Sequence, residues 1–178
     1  MESHIGVGLG KYIEKELDAA REYIWISTPA VSLSLGKKVF EMLDRGIKIR
    51  ILTSNSGAQD SDLTNYLARE MMKPKQDDKD WVPPQLDYKI ASTKEIALIH
   101  AKLYVVDGKC AIIGSANLTE NSFWNYAEYI WILREQDHIK QVMEDYEKLW
   151  SSCHDSQIDA PGTKKDVKDM IKKIRRKL

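Results

Sequence analysis

Helix-period and strand-period segments alternate through the first third of this chain, and that alternation limits the fold more than any other feature. Residues 9–22 (LGKYIEKELDAARE) place Leu9, Tyr12, Ile13, Leu17 and Ala20 near one helical face. Tyr23–Thr28 (YIWIST) is rich in β-formers, and Pro29 stops it. Residues 34–45 read as a helix with Leu35, Val39, Met42 and Leu43 on one side, ended by Gly46. Ile47–Thr53 (IKIRILT) alternates apolar and basic residues, as a strand does. The order α, β, α, β points to an α/β domain: a mostly parallel or mixed central sheet flanked by helices on both faces.

The rest of the chain extends this pattern. A third helix is expected over Asp60–Met72, with Asp60 or Ser61 as N-cap. Lys73–Gln85, rich in Pro and charge, reads as a loop of the length that lids and binding loops have. Short strands are expected at Leu86–Ala91, Leu98–Val106, Cys110–Ile113 and Glu128–Leu133. The second and third of these are joined by Asp107-Gly108, a strong hairpin signal. Asp137–Ser151 is amphipathic, with Ile139, Val142, Met143, Tyr146, Leu149 and Trp150 on its apolar face. Ala160-Pro161-Gly162 then breaks the chain. Residues 1–158 are therefore read as one domain, 159–163 as a linker and 164–178 as a basic amphipathic helical tail.

Charge sharpens this division. The 27 basic and 27 acidic residues cancel, yet residues 163–178 hold eight basic and two acidic side chains, a net of +6, which leaves the body at −6. A neutral chain does not coat nucleic acid with its whole surface, but a local basic patch remains open. The tail is read first as a helix that packs its apolar stripe on the body or on a second copy. Nucleic-acid backbone and an anionic membrane are the alternatives. Two cysteines, Cys110 and Cys153, exclude a disulfide scaffold and a zinc ribbon. No apolar run approaches a membrane span, and the N-terminus lacks a secretory pattern, so a cytoplasmic location is expected.

One constellation carries chemistry: His100-Ala-Lys102, then Asp107, then Gly114-Ser115-Ala-Asn117. Residues two apart on a strand face the same side, so His100 and Lys102 project together. The hairpin returns the chain, so Gly114, Ser115 and Asn117 arrive beside them, with Gly114 expected to let backbone approach a ligand. An imidazole, a fixed cation, a hydroxyl and an amide suit a phosphodiester, whose transition state needs positive charge and N–H donors at its non-bridging oxygens. His100 can attack phosphorus or shuttle protons near neutral pH.

The spacing H-x-K-x4-D-x6-G-S-x-N resembles the phospholipase D superfamily motif in full. Six fixed identities arise by chance about a few times in a million chains of this length, so the resemblance is specific. It implies a phosphodiesterase in which His100 forms a phosphohistidine, Lys102 and Asn117 bind phosphate oxygens, and Ser115 assists. Asp107 would support the motif from its turn. Glu128, eleven residues after Asn117, matches the acid that orients the histidine. No metal or cofactor is implied. The family reaction uses two histidines, and neither His4, His138 nor His154 lies in a second motif, so a homodimer is implied. Small single-motif members are typically nucleases, which makes DNA or RNA the expected substrate. The alternatives are a phospholipid phosphodiester hydrolase or phosphatidyl transferase, and a nucleic-acid-binding regulatory module on the same fold.

Other features read more plainly. Gly6-Val-Gly8-Leu-Gly10 has no preceding strand and lacks the spacing of a dinucleotide loop, so a flexible terminus is expected. Adjacent Cys153 and His154 make a poor metal site without further partners. Trp81 and Trp124 lie in or near loops beside the proposed site, where stacking on a base or dipping into lipid competes with ordinary packing.

Overall fold

A computed structural model describes residues 1–54, 85–91, 96, 98–153 and 157–159 of the chain. The expected helix over 60–72, nearly all of the loop over 73–85, Trp81, His154 and the basic tail lie outside the described residues. Eight strands are described: β1 (Glu2–Gly6), β2 (Tyr23–Ser27), β3 (Lys48–Ser54), β4 (Leu86–Ala91), β5 (Lys102–Val106), β6 (Cys110–Gly114), β7 (Glu128–Leu133) and β8 (Gln157–Asp159). They form one sheet in the order β1-β7-β6-β5-β2-β3-β4-β8. The sheet is mixed. Only β2, β3 and β4 pair in parallel, whereas β5, β6 and β7 form an antiparallel meander that joins β2 through β5.

Among the described residues three α-helices cover the two faces. Helices α1 (Gly10–Asp18) and α2 (Leu33–Glu41) set Ile13, Leu17, Val39 and Phe40 against Ile24, Ile26, Ile49, Ile51, Ile112 and Ile130. Helix α3 (Gln136–Ser151) packs Ile139 and Tyr146 against the alternate residues Leu52, Leu103, Val105, Ala111 and Leu133 on the opposite face. The period-2 pattern of the strands thus sorts each side chain to one helix layer. A cation seats α3: the Arg50 guanidinium lies 4.8 Å from the Trp25 ring and 4.9 Å from the Trp150 ring. It also meets Glu147 at 2.6 Å and Asp87 at 3.6 Å.

Helix ends follow local chemistry. α1 stops at Asp18, four residues before the sequence period ends, because Arg45 donates to the carbonyls of Asp18 and Ala20, both at 3.1 Å. α2 tightens into a 3₁₀ turn over Met42–Arg45 and closes on Gly46 at φ 80°, the left-handed cap expected from sequence.

Two expectations are corrected. The Gly-rich N-terminus is not a loose end: β1 pairs antiparallel with β7 from Glu2↔Ile132 to Gly6↔Glu128. Its partner strand supplies the hydrogen bonds that make so short and polar a segment extended. The strand expected over 98–106 begins only at Lys102. Before it, Ser54 Oγ accepts the Ile99 N–H at 2.5 Å and Ser27 Oγ donates to the Ala101 carbonyl at 3.2 Å, so side chains take the place of a ladder.

Candidate active site

The motif residues other than Asp107 gather at one end of the sheet, where parallel β2 and β3 finish and β5 and β7 begin. Lys102 pairs directly with Gly114, and Gly114 with Ile130. Lys102 alternates with core residues Tyr104 and Val106, and Glu128 with Ile130 and Ile132, so both point to the α1/α2 side. His100 is exposed in the segment that enters β5. The Lys102 ammonium donates to the His100 carbonyl at 2.8 Å, which ties the two residues together. Partial burial lowers the Lys102 pKa, and the nearby Glu128 carboxylate opposes that shift and favours the charged form.

Ser115 knits the strip to β7. Its hydroxyl donates to Glu128 and accepts the Tyr129 N–H at 3.0 Å, while its own N–H donates to the Tyr129 carbonyl at 2.9 Å. Among the described residues Glu128 is hydrogen-bonded by Ser115, and no described hydrogen bond joins it to His100. Asn117 has its amide oxygen buried without a hydrogen-bond partner among the described residues. The strip is held from below by Tyr104, whose buried hydroxyl donates to the Ala116 carbonyl at 2.9 Å. Burial also pushes the Tyr104 phenol far up, so it stays a donor. From the side, Thr28 Oγ1 accepts the Leu118 N–H at 3.3 Å. Sequence reasoning missed Tyr104 and Thr28. The available signal was a polar pair, Ser27-Thr28, closing an apolar strand.

Gly114 is required by the packing of the sheet. A Cβ there would lie 2.1 Å from the Tyr129 carbonyl oxygen and 2.9 Å from Ile130 Cα. Close approach of β7 requires the glycine.

Asp107 is not at the site. It lies at the far end of β5, about 16 Å along the strand from Lys102, and its φ of 52° places it with Gly108 in the left-handed region of the turn. The carboxylate accepts the N–H groups of Arg21, Glu22 and Tyr23 at 2.8, 2.8 and 2.9 Å. Burial would raise its pKa, but these three donors outweigh burial and hold it below 3.8. Replacing Asp107 by Ala is expected to lower the unfolding free energy by about 2 kcal/mol in urea titration, while the folded fraction keeps its turnover. A group with a lowered folded pKa stabilises the protein above its unfolded value and loses that contribution as pH falls. The stability difference between wild type and Asp107→Asn should therefore shrink below pH 3.8.

A family profile described as "Cardiolipin synthase, PLD-like domain" matches residues 13–150, most of the chain and all of the motif. The chain belongs to the phospholipase D superfamily. This PLD-like domain is 22% identical over 120 residues to the mitochondrial cardiolipin hydrolase of Canis lupus familiaris, covering 67% of this chain and 41% of that protein. The chain thus spans less than half the length of that relative. In fold, the PLD-like domain is similar to Nuc from Salmonella typhimurium, a phospholipase D family member, with a TM-score of 0.68 and 16% identity over 87% of this chain and 97% of that one. NucT from Helicobacter pylori is similar with a TM-score of 0.64 and 18% identity, over 85% and 97% of the two chains. No described helix is long and apolar enough to cross a membrane.

Proposed function

We propose that this PLD-like domain is a nuclease that hydrolyses phosphodiester bonds of DNA or RNA in the cytoplasm through a phosphohistidine, without a metal ion. The observation that supports the reading best is the exposed His100 tied to Lys102 beside the Ser115–Glu128 pair, at the carboxyl ends of parallel strands. His100 attacks phosphorus as the P–O bond to the leaving group breaks. Lys102 and the Asn117 amide stabilise the non-bridging oxygens as charge builds, and Ser115 assists by holding Glu128. Water then attacks phosphorus and the P–N bond breaks.

The leaving oxygen needs a proton and the attacking water must lose one. Among the described residues no second imidazole can serve. His4 stacks on Tyr12 with ring centroids 3.7 Å apart and contacts Glu2. His138 is on α3, which follows the far end of β7. The reading therefore includes a homodimer in which His100 of a second copy does this work across a two-fold axis.

The chain covers 97% of Nuc and 97% of NucT, so nearly all of their fold has a counterpart here. Phospholipid is the second reading. It is favoured by the family profile's description and by the exposed apolar side chains around the site. The test is a substrate panel in chelator: single- and double-stranded DNA, RNA and cardiolipin vesicles, with wild type and Lys102→Ala. Nucleic-acid cleavage that falls about 10²–10³-fold in the variant is expected. Lipid turnover with inert nucleic acid would transfer the assignment to phospholipid.

A further inference from the structure

β2 runs out in two consecutive hydroxyl side chains, Ser27 and Thr28, and both are fully buried. A strand sends neighbouring side chains to opposite faces, so its end can reach two separate segments. These two reach one to each half of the motif. Ser27 Oγ donates to the carbonyl of Ala101, the residue after His100, at 3.2 Å. Thr28 Oγ1 accepts the N–H of Leu118, the residue after Asn117, at 3.3 Å.

The contact to Asn117's half is fixed in direction. The Thr28 N–H donates to the Leu52 carbonyl of β3 at 3.0 Å, which carries the parallel ladder one residue past β2. The Thr28 hydroxyl proton goes to the Ala30 carbonyl at 2.9 Å. A hydroxyl has one proton and two lone pairs, so this oxygen meets Leu118 as an acceptor. Leu118 is gripped from its other side too: its carbonyl accepts the Ser32 N–H at 2.9 Å, and it forms a parallel bridge with the buried Val31. On the other half, Ser54 Oγ accepts the Ile99 N–H at 2.5 Å. The exposed His100 thus stands between two backbone groups pinned by buried hydroxyls. The β5–β6 ladder reaches neither catalytic group. It ends at Lys102↔Gly114, and His100 and Asn117 both lie beyond that pair. The described bridge across them comes from the end of β2.

We propose that Ser27 and Thr28 are positioning residues that set the gap between the His100 imidazole and the Asn117 amide. The proposal rests on the phosphohistidine reading above, in which those two groups meet one phosphate. It holds for any phosphodiester the domain cleaves. Attack at phosphorus depends steeply on the placement of the reacting groups, and a displacement of about 1 Å costs about 10²-fold in rate. Neither hydroxyl touches substrate, so the loss of either should appear in the chemical step more than in binding.

The test measures kcat and KM on the phosphodiester that the substrate panel shows to be turned over. Thr28→Val keeps the side-chain shape and removes the hydroxyl. Its kcat should fall about 10- to 10²-fold with KM within about twofold of wild type. Thr28→Ser returns the hydroxyl and should recover most of kcat, and Ser27→Ala should act in the same direction as Thr28→Val. Tyr146→Phe is the control: it removes a buried hydroxyl that lies 3.4 Å from the Ile26 and Arg50 carbonyls, and kcat should not change. Because Thr28 acts through Asn117, Thr28→Val should lose most of its effect in an Asn117→Ala background. Equal losses in both backgrounds, wild-type kcat in Thr28→Val, or a loss that Tyr146→Phe shares would overturn the proposal and leave the phosphohistidine reading intact. If Thr28→Val does not fold, Ser27→Ala decides, and wild-type kcat there overturns the proposal. A wild type that turns over no phosphodiester would remove the reading itself.

Discussion

His100→Ala is expected to abolish phosphodiester turnover, a loss of at least about 10⁴-fold, because no described side chain can replace the imidazole at the mouth of β5. Stability should hardly change, since His100 is exposed and, among the described residues, only its backbone carbonyl is engaged, by Lys102. Burst kinetics with an acid-quenched, labelled substrate would detect the phosphoenzyme in wild type and its absence in the variant. The dimer reading adds a stricter expectation. Mixing His100→Ala with Lys102→Ala subunits should not restore activity, because every mixed dimer keeps only one imidazole. Substantial recovery would show that a single histidine suffices, and near-full activity of His100→Ala alone would remove it as nucleophile.

Gly114→Ala should be the most damaging small substitution in the sheet, at about 3 kcal/mol of stability. The added methyl would collide with the Tyr129 carbonyl and Ile130 Cα, which are backbone atoms of β7 and cannot swing aside as a side chain would. β6 and β7 must then part where Ser115 meets Glu128. Turnover should drop even at temperatures where the variant remains folded. Urea unfolding and kcat measured on the same preparation would separate the two effects. Wild-type stability and kcat in the Gly114→Ala variant would mean that β7 does not approach this closely.

Much of this was legible in the sequence for definite reasons. The Asp107-Gly108 turn fixes the β5–β6 hairpin, and the hairpin alone sets Gly114, with Ser115 next in the chain, across from Lys102. The two-faced sheet follows from the alternation of helical and strand segments. What escaped depends on contacts distant in sequence. β1 carries no period of its own and is a strand only because β7 offers it a free edge. The Leu98–Ala101 segment looks like strand, yet the Ser27 and Ser54 hydroxyls bond to it and displace a ladder. The distal position of Asp107 is a matter of strand length. Its place at the turn was expected, but its three donors, residues 21–23, come from a segment distant in sequence. The Ser115–Glu128 contact is likewise a tertiary fact, made because β7 lies beside β6.

The antiparallel meander of β5, β6 and β7 has a consequence in time. Its pairings connect chain neighbours, whereas β2, β3 and β4 need long crossovers before they can align. Short-range pairings close at lower entropic cost. During refolding, amides of residues 102–133 should therefore gain protection from exchange before those of β3 and β4. The chemical machinery would be born early, on a scaffold still waiting for its other half.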